Sequence, residues 1–172
     1  MGCSGCKNIE TININTTKND NKIESINNNF IFDNPKEIII LDLKGKFKGN
    51  SNFVSFCQNN FPNLENLNLS NNNLSDISEL KNLTAPKLRI LDLSNNNIED
   101  IKVFKEVDFV LEELNLKGNP INQIGVFIEA KSLNNLKILR ASIINNESND
   151  KTLQNQLKNR VPTLDLSLSE KK

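Results

Sequence analysis

From Leu64 to Leu74 the chain reads LENLNLSNNNL, with leucines at the first, fourth, sixth and eleventh places and Asn72 at the ninth. The same spacing returns from Leu88 to Ile98 (LRILDLSNNNI) and from Leu111 to Ile121 (LEELNLKGNPI). Apolar residues at the fourth and sixth places, with polar ones between them, alternate with a period of two, which predicts a short strand with one buried face in each copy. Decayed copies flank these three. Ile38, Leu41 and Leu43 lead a first copy with Lys46 in the asparagine place, and Leu136 and Leu139 lead a last one with Ala141 at the sixth place and Ile144 at the ninth. First places at Ile38, Leu64, Leu88, Leu111 and Leu136 lie 26, 24, 23 and 25 residues apart.

The spacers carry their own apolar sets. Phe53, Val54, Phe56, Cys57 and Phe61 predict a helix that Pro62 stops. Ile77, Leu80 and Leu83, then Ile101, Val103, Phe104 and Val107, then Ile124, Val126, Phe127 and Leu133 return the chain to the core. After the last copy, Leu153 and Leu157 predict a helix over Lys151 to Arg160, and VPTLDL an edge strand through Leu164 and Leu166. The final six residues are expected to be loose.

The phrase L-x-x-L-x-L-x-x-N-x-L at intervals of 23 to 26 residues is that of the leucine-rich repeat. The fold class that follows is α/β: a solenoid of about five repeats, with a parallel concave sheet, a helical or irregular convex side and a C-terminal helix–strand cap. Inside it the ninth-place residues Asn72, Asn96 and Asn119 are expected to form a structural ladder, turning their amides to backbone groups that the bend after each strand leaves unpaired. Residues 1–29 are expected to be a lipid-anchor segment and polar tether, and 30–172 the repeat domain, with its cap from about 147. Ile9, Ile12 and Ile14 imitate the first, fourth and sixth places, with Thr17 in the asparagine place, so a degenerate N-terminal cap is the other reading of this stretch.

The run FPNLENLNLSNNNLSDISELKNL (residues 61–83) and the closing VPTLDL resemble the small leucine-rich repeat proteins of the SDS22 and acidic nuclear phosphoprotein type, over about residues 38–168. That resemblance implies a curved solenoid that binds proteins, sometimes phosphatases or histones. The acidic tail of the nuclear members has no counterpart in the closing SEKK, which turns the expectation away from histones.

Odd-numbered places between the inward leucines face the concave side of such a sheet. The third place carries Ile40, Asn66, Ile90, Glu113 and Ile138; the fifth carries Asp42, Asn68, Asp92, Asn115 and Arg140; the seventh carries Lys44, Ser70, Ser94, Lys117 and Ser142. Side by side these columns make a polar strip dotted with isoleucines, the expected seat of a protein partner.

Composition excludes more than it proposes. Lys plus Arg equals Asp plus Glu at 21 each, so no electrostatic footprint of a nucleic-acid partner is expected. The chain has no histidine, no Gly-rich phosphate loop and no clustered nucleophile, so neither enzymatic activity nor a small-molecule substrate nor a cofactor is expected. The 33 asparagines are attributed to biased codon supply, and the N-x-S/T matches they create at Asn15, Asn68, Asn73, Asn82 and Asn146 to chance.

The opening MGCSGCK holds the remaining chemistry. Removal of Met1 would expose the Gly2 amine for N-myristoylation, with Cys3 and Cys6 placed for S-palmitoylation. A single myristoyl chain holds a membrane only marginally, so the second signal matters. The stretch resembles the acylated start of Src-family kinases, although Cys6 stands where that motif wants Ser or Thr. A zinc site shared with Cys57 and a redox pair are the competing readings of Cys3 and Cys6. The functional expectation is an adaptor on the cytoplasmic side of a membrane; the alternatives are a structural subunit of a large assembly without lipid and a phosphatase-regulatory protein.

Overall fold

The computed structural model describes residues 10–13, 22–26, 29–32, 35–47, 50–144 and 151–169. Gly2, Cys3, Cys6, Ile9, Ile14 and Thr17 lie outside the described residues.

Six parallel strands stack in chain order into one sheet: β4 (Ile40–Asp42), β5 (Asn66–Asn68), β6 (Ile90–Asp92), β7 (Glu113–Ile121), β8 (Ile138–Ile144) and β9 (Thr163–Ser169). A separate antiparallel sheet, β1 (Glu10–Asn13), β2 (Lys22–Ile26) and β3 (Asn29–Phe32), precedes it. Each fourth-place leucine aligns with the next, Leu41 with Leu67, Leu91, Leu114 and Leu139, and all of them are buried. This is the parallel repeat sheet that the leucine spacing predicts, and the edge strand expected at Leu164 and Leu166 closes it, Leu164 pairing with Leu139. Ile12, by contrast, pairs with Ile23 in antiparallel register, so its segment adds no rung to the repeat sheet.

An uncapped stack would leave its first repeat open to water. Phenylalanines cover that end. Phe32 at the end of β3 stands edge-on to Phe61 with ring centres 4.8 Å apart, and Phe47, Phe53 and Phe56 complete the cluster. Burying each ring contributes roughly 1.5–3 kcal/mol. Phe53 and Phe56 come from α1 (Asn50–Cys57). This helix ends ahead of Pro62, because the Asn59 side-chain amide donates to the terminal carbonyls of Ser55 (3.1 Å) and Phe56 (2.9 Å). Asn59 caps the helix, and Pro62 only follows.

Later spacers are short 3₁₀ turns at Ser78–Asn82, Lys102–Lys105 and Lys131–Leu133, with one turn of α-helix, α2 (Val126–Glu129). Two of them start on the same device. Asp76 accepts the Ser78 N–H and Asp100 accepts the Lys102 N–H, each at 2.8 Å. Phe104 and Phe127 fill the space behind the sheet.

The chain must bend after each strand, and it does so at the eighth place. Gly45 (φ 63°), Asn71 (φ 59°), Asn95 (φ 54°) and Gly118 (φ 72°) all adopt the left-handed conformation there, which Gly and Asn tolerate best. The asparagine runs attributed to codon supply therefore have conformational work: Asn71 and Asn95 make the bend, and Asn72 and Asn96 follow it in the core. In the last repeat Ile143 holds the eighth place, no left-handed turn occurs, and β8 continues to Ile144.

The C-terminal cap is α3 (Lys151–Arg160) followed by β9. Leu157 anchors the helix in the core. Ser167 and Ser169, expected to be loose, belong to a strand paired with β8 along its whole length. No helix among the described residues is long and apolar enough to cross a membrane.

Candidate functional site

Beneath the face lies the ladder. The Asn96 side-chain amide donates to Leu93 O (2.9 Å) in its own repeat and to Leu69 O (3.0 Å) in the one before, while its Oδ1 accepts the N–H groups of Asn72 (2.9 Å) and Leu74 (3.0 Å). Asn72 bridges Leu69 O and Leu43 O and accepts from Phe47 N–H; Asn119 bridges Leu116 O and Leu93 O and accepts from Ile98 N–H. All three are buried, so these bonds form in a low-dielectric setting where an unpaired partner would be costly.

The third- and fifth-place columns come together in register across the sheet. Ile40, Asn66, Ile90, Glu113 and Ile138 form one row, and Asp42, Asn68, Asp92, Asn115 and Arg140 another. With strands about 4.8 Å apart the rows run roughly 20 Å across five repeats. β9 extends them with Thr163 and Asp165, which the sequence reading of the strip missed. The signal was present: Val161, Leu164 and Leu166 keep the first, fourth and sixth places of the phrase.

The fifth place has a local duty as well as an exposed one. Asp42, Asn68, Asp92 and Asn115 each accept the backbone N–H two residues on, at 2.8–3.2 Å, closing an Asx turn at the strand end. Asp92 also accepts from the Asn115 amide at 3.1 Å. These side chains are thereby held in place and offer a partner their remaining acceptor positions and, at Asn68 and Asn115, amide N–H groups.

The seventh column departs from expectation. Ser70 (4% exposed), Ser94 (8%) and Ser142 (8%) are buried and present no contact surface: at Ser70 and Ser94 the chain is already turning into the bend, while Ser142, still within β8, is enclosed by the neighbouring strands. Ser142 Oγ instead accepts the Gly118 N–H at 3.0 Å and meets Ser167 Oγ at 3.1 Å. Lys44 and Lys117 do reach solvent, and Lys117 Nζ spans to Asp165 at 2.6 Å.

What is left over is informative. Ile40, Ile90 and Ile138 are half-buried, with their remaining surface on the strip. The Glu113 carboxylate sits in the row between Ile90 and Ile138, and neither it nor the Arg140 guanidinium has an ion-pair partner among the described residues. On the neighbouring second-place row, Arg89 (3.4 Å) and Lys137 (2.7 Å) already engage Glu112, and the Lys137 bond holds that carboxyl below the ordinary carboxylate value. The face thus combines an apolar row with charges of both signs, Glu113 and Arg140 among them, that form no ion pair among the described residues.

Cys57 is buried behind the sheet, and burial pushes its thiol far above the ordinary value, so it is a packing residue. Among the described residues no group of three or more Cys, Asp or Glu side chains converges on a metal position.

Residues 38–132 match the family model of the NXF1/2/3/5 leucine-rich repeat domain. The chain belongs to that leucine-rich repeat family. Leucine-rich repeat domains are protein-interaction modules, and the matched segment covers β4 to β7 with their convex spacers. Among solved structures, the chain is similar to an internalin (InlF) from Listeria monocytogenes, at 25% identity with a TM-score of 0.46, over 72% of this chain and 32% of the internalin. The chain therefore spans about a third of that protein's length. No curated protein matches the chain.

Proposed function

We propose that this leucine-rich repeat protein is an adaptor that captures a protein on its concave face while an acylated N-terminus holds it to the cytoplasmic side of a membrane. The observation that carries the first half is the row Ile40, Asn66, Ile90, Glu113 and Ile138, where apolar surface and an unengaged carboxylate lie together on a rigid sheet. A partner that covers the isoleucines and brings a cation to Glu113 gains apolar burial without having to break an existing ion pair. Arg140 offers the opposite charge on the next strand and sets the orientation.

The second half rests on Gly2, Cys3 and Cys6, a myristoylation position with two thiols close enough to share one membrane contact. The experiment joins both halves. Wild type, Gly2→Ala and Ile90→Glu are expressed as tagged full chains in cells, fractionated and captured. Wild type is expected in the membrane fraction with a bound protein, Gly2→Ala in the supernatant with that protein still bound, and Ile90→Glu at the membrane without it. Wild type wholly in the supernatant overturns the tether; a partner indifferent to Ile90→Glu overturns the concave site.

A further inference from the structure

The two ends of the repeat sheet are finished differently. β4, at one edge, is a three-residue strand that follows the Pro35–Glu37 turn and runs into Lys44 and Lys46, a short edge with the charged neighbours that discourage strand pairing. β9, at the other, is seven residues long, reads TLDLSLS and contains neither proline nor lysine. Its only acid, Asp165, is drawn over the concave face to Lys117 and does not guard the edge.

The Thr163 N–H donates inward to Lys137 O at 2.9 Å. Alternation along a strand then turns the backbone groups of Asp165, Ser167 and Ser169 toward β8, and those of Leu164, Leu166 and Leu168 outward. Leu164 and Leu166 are only partly buried, having core on one side and, among the described residues, no further strand on the other.

We infer that β9 is a self-association edge, and that a second copy of this chain pairs with it antiparallel about a twofold axis at Leu166. The chain's own chemistry selects that occupant and that register. Centred on Leu166, the outward residues meet as Leu166 with Leu166 and Leu164 with Leu168, and each such pair exchanges two backbone hydrogen bonds. Asp165 then faces Ser167 of the other copy. A register centred on Asp165 would oppose two carboxylates, which is destabilising. The product is a continuous sheet across two chains, with an isologous interface and the two concave faces side by side. This association does not depend on the membrane tether or on the concave partner.

Sedimentation equilibrium of the full chain, over a series reaching high micromolar concentration, tests it. Wild type is expected to be a monomer–dimer equilibrium. Ser167→Asp places a carboxylate opposite Asp165 twice in each dimer and raises the dissociation constant by roughly 2- to 30-fold, whereas Ser167→Lys lowers it. Leu166→Pro removes an outward N–H that the sheet does not use and abolishes the dimer. A wild type that stays monomeric, or a dimer equally stable in both Ser167 variants, overturns the inference, and neither result depends on how well Leu166→Pro folds.

Discussion

The backbone N–H of Asn72 donates to the side-chain oxygen of Asn96, 2.9 Å away and one full repeat further along the chain. One repeat's bend is thus completed by the next repeat's side chain, and the stack is cooperative by construction. Asn96→Ala would strand the N–H groups of Asn72 and Leu74 in the core, while Leu69 O and Leu93 O would each keep a second amide donor, from Asn72 and Asn119. The expected loss is about 3 kcal/mol, or a fall in melting temperature of roughly 6–12 °C, since each buried orphan costs on the order of 1–3 kcal/mol. Thermal denaturation followed by circular dichroism measures it. A fall of a degree or less would mean that water replaces the ladder.

Gly118 and Gly45 share the eighth place and a positive φ but not the same surroundings. A Cβ on Gly118 would overlap Asn95 Oδ1, while one on Gly45 would lie an ordinary 3.7 Å from Asn71 O. Gly118→Ala is expected to cost about 2–3 kcal/mol and Gly45→Ala only about 1, the second being conformational strain alone. Urea unfolding of the two variants side by side gives the comparison, and equal midpoints would contradict it.

Arg160, at the end of α3, donates to Ile128 O (2.8 Å) and Leu133 O (2.7 Å), tying the cap to the last convex spacer. Burial lowers the pKa of its guanidinium from the ordinary value. Arg160→Ala is expected to cost about 2 kcal/mol, because both bonds come from a charged donor but are partly reached by solvent. Hydrogen exchange should then accelerate in β9 and leave β5 and β6 as before. Uniform acceleration would show that the cap does not open independently.

The Ser78 N–H holds the Asp76 carboxyl below the ordinary carboxylate value. A depressed carboxyl pKa contributes stability that is complete above the unfolded value of about 3.9 and is lost as pH falls through the folded one. Stability should therefore decline on the acid side of pH 4, and Asp76→Asn, which keeps an acceptor for Ser78 but cannot titrate, should reduce that decline. Urea midpoints at pH 7 and pH 3 test this; identical slopes for the two proteins would remove Asp76 from the account.

Cys57 has no exposed surface. Iodoacetamide at pH 8 is expected to leave it unlabelled in buffer and to modify it fully in guanidinium, with peptide mass mapping to separate it from Cys3 and Cys6. Labelling in buffer would mean that α1 opens locally.

The leucine phrase made the parallel sheet, its register and its ladder legible, because spacing fixes which residues can be buried together. Its limits were equally physical. Ser70, Ser94 and Ser142 were placed on the strip by place number, but β5 and β6 end before the seventh place and take Ser70 and Ser94 inward, and Ser142, still within β8, is enclosed between Gly118 and Ser167 of the neighbouring strands. Asn59 outcompetes Pro62 as the end of α1 because a side-chain amide can satisfy terminal carbonyls wherever it falls within reach. The antiparallel β1–β3 sheet adds no rung to the repeat sheet even though Ile12 imitates a repeat place, and Phe32, packed on Phe61, ties it to the core. The strip itself was legible as a surface, while the lack of ion pairs at Glu113 and Arg140 among the described residues depends on side-chain reach that no spacing encodes.

The double grip of each ninth-place amide also governs how such a chain can change length. Because Asn96 holds Leu69 and Leu93 together, excision of Leu64 to Lys87 as a block would bring Leu88 to the place of Leu64 and present Asn96 to Leu43, an acceptor of the same kind. Removing residues from within a strand phrase would leave the amide facing the wrong carbonyl, whereas the convex spacers already differ in length between repeats of 23 to 26 residues. Duplication and loss in this gene should therefore keep each strand phrase with its asparagine intact, and homologues of different length should differ by whole repeats or within the convex spacers.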